Sequence, residues 1–489
     1  MNVKKTNINT LMVVRMIGWL LMIEALFMVV PFVVSLYYQE MDCAKSFFFS
    51  ALITLALGGF TSNAIHPTHT DMHRKEGFLL TSLVWVVFSL FGMLPFLFSG
   101  TLMSVTDAFC ETMAGFTTTG CTMFADVETL PKGILLWRSL MQWIGGMGII
   151  LFTLAVLPML NKSGGVQLFN AEVTGITHDK LRPRVSQTAL GLWGVYVGLT
   201  VLMCVALMCG PMDWFDSLCH TLSCVSTGGF STKNDSIGFW DSRYIDGMVI
   251  LFMFLGGVSF SLLYNVVFGR FKSLVNNEVL KWYVILCVVG SAICFADLYF
   301  RGENRNVIDC AIDSLFHIVA TITTTGYSVE NYSWGQFSIM IFIILMISCA
   351  CAGSTSGGLK IDRMLVMLKN VKNEFSKALH PNLVTSVRLN GKVVPYAHVQ
   401  RVIAFLVIFA LVLIVSSTVM TMFGIDVFGS FFLSLSALCN VGYGSTMFGG
   451  LSFAELPEFV KWLLAFDMLI GRLELFTVMI LFTRGFWVK

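Results

Sequence analysis

The chain has 489 residues, is 56% hydrophobic and 12% charged, and has a mean hydropathy of +0.79. That excludes an ordinary soluble globular protein and reads as a polytopic membrane protein. A formal net charge of +2 argues against nucleic acid as a partner.

The first residues include Lys4, Lys5 and Arg15, followed by a long apolar run without a small-residue cleavage site. This reads as a first membrane helix rather than a removed leader. Apolar segments of about 20 residues mark spans, and the first two run over roughly 16–38 and 46–65. A short acidic link with Glu40 and Asp42 joins them. A polar turn follows, carrying His66, His69 and His73. Three histidines raise the question of a metal site, but a solvated turn is the better reading.

Beyond the turn a unit repeats. Asp107, Asp216 and Asp313 each precede a polar Thr/Gly stretch by the same interval, ending at Gly120, Gly229 and Gly326. A fourth, looser copy runs from Asp426 to Gly442 and reads as longer by three residues. The four stretches are Thr117-Thr118-Thr119-Gly120, Ser226-Thr227-Gly228-Gly229, Thr323-Thr324-Thr325-Gly326 and Asn440-Val441-Gly442. Each is too short and too polar to span a bilayer, yet lies between two apolar segments. Non-helical backbone at membrane depth is tolerated only where it is buried in protein or lines a watery cavity. The leading Asp suits a helix N-cap, so each copy reads as a half-helix whose negative end points at the Thr/Gly stretch. Glycine then lets successive carbonyls turn inward, as in a potassium filter. The bland alternative, a capped loop between helices, loses ground with each further copy.

The expected organisation is a hairpin over 1–75 and units over 76–183, 184–277, 278–396 and 397–489. Outer helices are expected near 78–99, 184–209, 279–300 and 398–423. Inner helices are expected near 131–158, 243–269, 335–377 and 457–484, for ten full spans. The fold class is therefore an all-α polytopic membrane protein, with four helix–pore-loop–helix repeats around a central pore and a two-helix hairpin in front. Lys and Arg within 4–15, 74–75, 162–184, 270–281, 360–401 and 484–489 fall on one side. Only Lys45, Lys132, Lys233, Arg243, Arg301, Arg305 and Lys461 fall on the other, so both termini are expected to be cytoplasmic. Asp126, Glu128, Asp235, Asp241, Glu303, Asp309, Glu330, Glu455 and Glu458 surround the outward mouths. They either concentrate cations or simply solvate that surface.

Several residues stand out inside the membrane. The third inner helix is interrupted by Gly353-Ser354-Thr355-Ser356-Gly357-Gly358, which reads either as a mobile plug or as a helix end and loop. The charged stretch after it, up to Arg401, is a natural docking surface for a soluble regulator. Arg472 lies close to Asp467 and Glu474 in apolar surroundings. It is either a positive barrier in a pore or half of a buried ion pair, and Arg138 and Gln142 carry the same two readings. The thirteen cysteines lack metal spacing and read as buried thiols, with Cys110 and Cys121 the one pair that could oxidise.

Taken together, these motifs and Gly471-Arg472-Leu473-Glu474 resemble the TrkH/KtrB/HKT superfamily of potassium transporters, and within it the TrkH branch, over essentially the whole chain. The resemblance implies potassium uptake at the cytoplasmic (inner) membrane. It implies that Gly120, Gly229, Gly326 and Gly442 are filter glycines, that 353–358 is an intramembrane gate loop and that Arg472 faces the pore. It also implies a homodimer in membrane lipid and a cytosolic nucleotide-binding partner of the TrkA type. Potassium is then the transported ion, with no cofactor in this chain and a nucleotide only on the partner. Val441-Gly442-Tyr443-Gly444 matches part of a potassium-channel signature, and this is read as a coincidence in a degenerate filter. The runner-up is an ion-coupled secondary transporter of another small solute, which calls for midplane discontinuous helices in alternating halves. No paired acid/base or nucleophile constellation favours an enzyme.

Overall fold

The computed structural model describes residues 8–65, 73–148, 185–301, 306–329, 334–444 and 451–487. Among them the protein is mostly helical. The only strands among the described residues form a hairpin, in which Arg388–Leu389 pairs antiparallel with Lys392–Val393 across an Asn390-Gly391 turn. Both turn residues have positive φ, 50° and 76°, the backbone that Asn-Gly favours in a two-residue hairpin. Most of the three-histidine turn lies outside the described residues.

The first two helices, Thr10–Tyr37 and Met41–Ala64, form a tight antiparallel pair. Gly18 and Gly58 make the crossing close, because a methyl on either would sit under 3 Å from the other's carbonyl. The link between the helices also fastens the hairpin to the rest of the chain. The Glu40 carboxylate accepts from the backbone N–H groups of Lys132 (2.7 Å) and Gly133 (3.2 Å), at the start of the helix Lys132–Gly146. A carboxylate there meets the positive end of the helix dipole.

Six described helices are long and apolar enough to cross a membrane: the hairpin pair, Lys75–Phe98, Thr188–Met208, Glu278–Phe300 and Tyr396–Thr421. The last four are the expected outer helices. The inner helices differ from expectation, and the count of ten unbroken spans is corrected. Arg243–Gly256 turns by 103° into Phe260–Val267. Gln336–Ser348 stops before a loop that leads to Ile361–Leu379. Glu458–Arg472 ends long before residue 484, and Lys132–Gly146 closes at Met147. Residues 149–158 of the first inner segment lie outside the described residues. Hydropathy averaged over a window does not register such breaks, because Gly256-Gly257 and the residues after Ser348 are as apolar as a helix. Glycine makes an interruption inexpensive.

Four short helices lie between outer and inner helices: Val105–Phe116, Trp214–Val225, Val307–Ile322 and Val427–Leu438. Their N-caps correct the sequence reading. Ser104, Asp213 and Asp426 cap three of them, each accepting from the N–H three residues on: Asp107, Asp216 and Gly429. Asp107 and Asp216 are therefore third residues of their helices, where a carboxylate suits the dipole but does not cap. Asp313 is further inside a helix that starts earlier, with Asn306 at its N-cap. Counted from the glycines, Asp426 matches Ser104 and Asp213, so the fourth copy has no insertion. Asp213-x-x-Asp216 offers two carboxylates of similar promise, and nothing local in the sequence says which of them caps.

Candidate functional site

The four short helices end in the same way. Thr118 donates its N–H to Gly115 O and Thr119 to Ala114 O. The equivalents are Thr227 to Cys224 and Gly228 to Ser223, Thr324 to Thr321 and Thr325 to Ala320, and Asn440 to Ala437 and Val441 to Ser436. This pair of bonds is the Schellman closure, which requires a left-handed residue just past the helix. That residue is normally glycine. Here it is Thr118, Thr227, Thr324 or Asn440, at φ of 55°, 55°, 62° and 54°. Such backbone costs an L-residue about 1–2 kcal/mol, and strain of this kind clusters at functional sites. Two residues on, Gly120, Gly229, Gly326 and Gly442 are at φ of 82°, 80°, 74° and 83°.

The four glycines then interlock. A Cβ on Gly120 would strike Gly228 O, one on Gly229 would strike Thr325 O, one on Gly326 would strike Val441 O, and one on Gly442 would strike Thr119 O. Each loop meets the next, and the fourth meets the first. The result is a closed ring in which every glycine abuts the carbonyl that precedes its neighbour's glycine. All fifteen residues expected in the filter lie in these four stretches, and the structure brings them together.

Side chains brace the ring. The Thr117 and Thr119 hydroxyls pair at 2.8 Å, as do those of Thr323 and Thr325. Asn440 Nδ2 donates to Thr119 Oγ1 and Met468 O, each at 2.9 Å. The Gln142 carboxamide donates to Gly228 O (2.7 Å) and accepts from Phe230 N–H (3.1 Å). Tyr327 Oη donates to Phe230 O (3.2 Å), and Tyr443 Oη lies 3.5 Å from Tyr327 O. Tyr443 thus ties the fourth loop to the third. In the sequence Tyr443 stands out only as one letter of the Val441-Gly442-Tyr443-Gly444 match, not as a tie between loops.

Behind the first loop, Arg138 and Glu111 form a fully buried ion pair at 2.7 Å. Arg138 also donates to Thr122 Oγ1 and Ser231 O and stacks over Phe230 at 4.2 Å. Of the two readings for Arg138, this geometry is the ion pair. Glu111 escaped the sequence reading because its partner is 27 positions away and on another helix. Cys110 and Cys121 are both buried, and all thirteen cysteines are free.

The segment Gly353 to Gly358 packs against the ends of three short helices. Thr355 Oγ1 contacts Val225 O (3.3 Å), Gly256 O (3.2 Å) and Thr227 Oγ1 (3.2 Å). Gly357 N–H donates to Thr324 Oγ1 at 3.1 Å, and a Cβ on Gly357 would meet Cys439 O and Asn440. Ser354 and Ser356 pair their hydroxyls at 2.7 Å. Gly353 O accepts from Phe260 N–H, and the Gly358 Cα faces Cys349 Sγ. Arg472 joins this segment to the first inner helix, donating to Thr355 O (2.7 Å), Gly145 O (2.6 Å) and Gly146 O (2.9 Å). The two carboxylates expected beside it are engaged elsewhere. Asp467 accepts from Ser416 and Ser434, and Glu474 accepts from Arg363 and lies 3.7 Å from Lys360.

The acidic residues expected around the mouths are partly used by the fold. Asn234 donates to Asp126, and Glu128 accepts from Asn234 N–H. The Asn234 amide, followed by the Glu128 N–H, holds the Asp126 carboxyl below its ordinary range. Arg243 pairs with Asp309. Glu303 and Glu330 lie outside the described residues.

Comparison with known proteins gives the same family at every level. A family described as "TrkH: Cation transport protein" matches residues 44–286 and 303–486. The Trk system potassium uptake protein TrkH of Escherichia coli K12 is 34% identical over 479 residues, covering 97% of this chain and 99% of that one. The TrkH of Halomonas elongata is 34% identical over 486 residues, covering 98% and 99%. Trk system potassium uptake protein TrkG of E. coli K12 is 31% identical over 483 residues, covering 97% and 98%. The crystal structure of the potassium transporter TrkH from Vibrio parahaemolyticus superposes with a TM-score of 0.89 at 29% identity, covering 98% and 100%. The chain is therefore a multi-pass membrane protein that belongs to the TrkH family of cation transport proteins.

Proposed function

We propose that this chain is the pore of a potassium uptake system in the cytoplasmic membrane, with the four interlocked loops as its selectivity filter. The observation that carries the reading is the closed ring of glycines and carbonyls. Four Schellman ends aim the negative poles of four helices at the ring, which favours a cation there. Backbone oxygens at a fixed spacing replace an ion's hydration shell. The names of the relatives, all potassium uptake proteins, agree with this.

In this mechanism potassium sheds water at the ring and passes toward the segment 353–358. That segment sits against the helix ends and is the gate. Arg472 holds it through Thr355 O and places positive charge beside the path. Displacing the segment opens the way inward. The expected Lys/Arg asymmetry puts the ring on the outer side and both termini in the cytoplasm. The relatives' names speak of a Trk system, which fits a multicomponent assembly. We assign this chain a homodimeric state, with a cytosolic nucleotide-binding subunit of the TrkA type docking near the stretch up to Arg401.

Rubidium uptake into vesicles holding the purified protein tests the reading. Unlabelled potassium should compete with rubidium, and sodium should compete far less. Equal competition by sodium and potassium would refute a potassium filter.

A further inference from the structure

The second loop differs from the others at the position before its ring glycine. Thr119, Thr325 and Val441 stand there in the first, third and fourth loops, and Gly228 in the second. The backbone does not require this glycine. Gly228 is absent from the positive-φ residues, unlike Gly229 beside it. The requirement is steric and comes from another part of the chain. A Cβ on Gly228 would fall within contact distance of Cδ, Oε1 and Nε2 of Gln142.

Gln142 is fully buried on the first inner helix, Lys132–Gly146, and reaches into the second loop. Its carboxamide brackets Gly229, giving an N–H to Gly228 O on one side and taking the N–H of Phe230 on the other. Only one orientation of the amide satisfies both, because a carbonyl needs a donor and an N–H needs an acceptor. Gly228 O is also the oxygen that abuts Gly120 in the ring. In the first and third loops the equivalent bracing is local, through the hydroxyl pairs Thr117/Thr119 and Thr323/Thr325.

We infer that Gln142 is a positioning residue of the filter: it occupies the side-chain slot left by Gly228 and sets ion selectivity by fixing the Gly228 carbonyl. The inference rests on the filter reading above. It also explains how the second loop departs from the Thr-x-Thr-Gly pattern of the first and third without losing its shape. The bracing side chain comes from the neighbouring unit instead of from the loop.

The test compares rubidium-over-sodium uptake, per amount of folded protein, in reconstituted vesicles. Gln142→Ala should lower the ratio about tenfold, the factor one neutral hydrogen bond corresponds to. Gly228→Thr alone should disrupt the loop, since its side chain meets Gln142. The double variant Gln142→Ala with Gly228→Thr should recover the ratio, because the introduced hydroxyl then gives Ser226 a local partner. A Gln142→Ala protein with the unmodified ratio would overturn the inference. If that variant fails to accumulate, the double variant decides: recovered folding and selectivity uphold the inference, and no recovery overturns it. An unmodified protein without preference for rubidium over sodium would instead refute the filter reading itself.

Discussion

Arg138 and Arg472 carry the same two readings from sequence, pore charge or buried ion pair, and the structure separates them. Arg138 is sealed against Glu111 and two aromatic rings. Removing one member of such a pair strands the other charge, at roughly 3–5 kcal/mol. Arg138→Met should therefore sharply reduce folded protein in a detergent thermal-stability assay. Arg138→Met with Glu111→Leu should recover much of it, because both charges are gone. Arg472 reaches backbone carbonyls of two different segments and is only half-buried. On the proposed gate reading, its loss frees the 353–358 segment and removes a positive charge from beside the path. In a medium of effective dielectric about 20, that charge raises a nearby cation by several kcal/mol at short range. Arg472→Ala should raise rubidium flux at unchanged amounts of folded protein. Slower flux with less folded protein would point to a structural role instead.

The short helices and their Thr/Gly ends were legible as elements because polar, glycine-bearing stretches stand out against apolar flanks. Their fine structure was not. No propensity argument places a β-branched Thr118 in left-handed backbone, since local preference opposes it and tertiary contacts override it. The breaks in the inner helices were similarly hidden, except where Gly353 to Gly358 made one polar. That segment is held by one short stretch: Arg472 binds Thr355 O within it, and Glu474 binds Arg363 after it. Deleting 353–358 should raise rubidium flux per folded molecule and weaken its dependence on a cytosolic partner. Unchanged flux would make the segment a plain linker.

At the scale of the molecule, repetition carried most of the reading, and the closure of the four units into a ring could not be seen from any one of them. The contacts Gly120 to Gly228 and Gly442 to Thr119 join residues 108 and 323 positions apart, and sequence periodicity says nothing of such neighbours. Orientation rests on Lys/Arg bias. A membrane-impermeant maleimide added to intact cells should label Asp126→Cys above the unmodified background and leave Lys372→Cys unlabelled; the reverse pattern would invert the topology.

The ring makes the most direct demand. If four loops form one filter, each glycine is needed equally, because a side chain on any of them strikes the next loop's carbonyl. The measurement is the rubidium-over-sodium uptake ratio of Gly120→Ser, Gly229→Ser, Gly326→Ser and Gly442→Ser, each normalised to folded protein. All four should lose discrimination while still passing ions. A variant that keeps the unmodified ratio would remove its loop from the filter and contradict the closed ring.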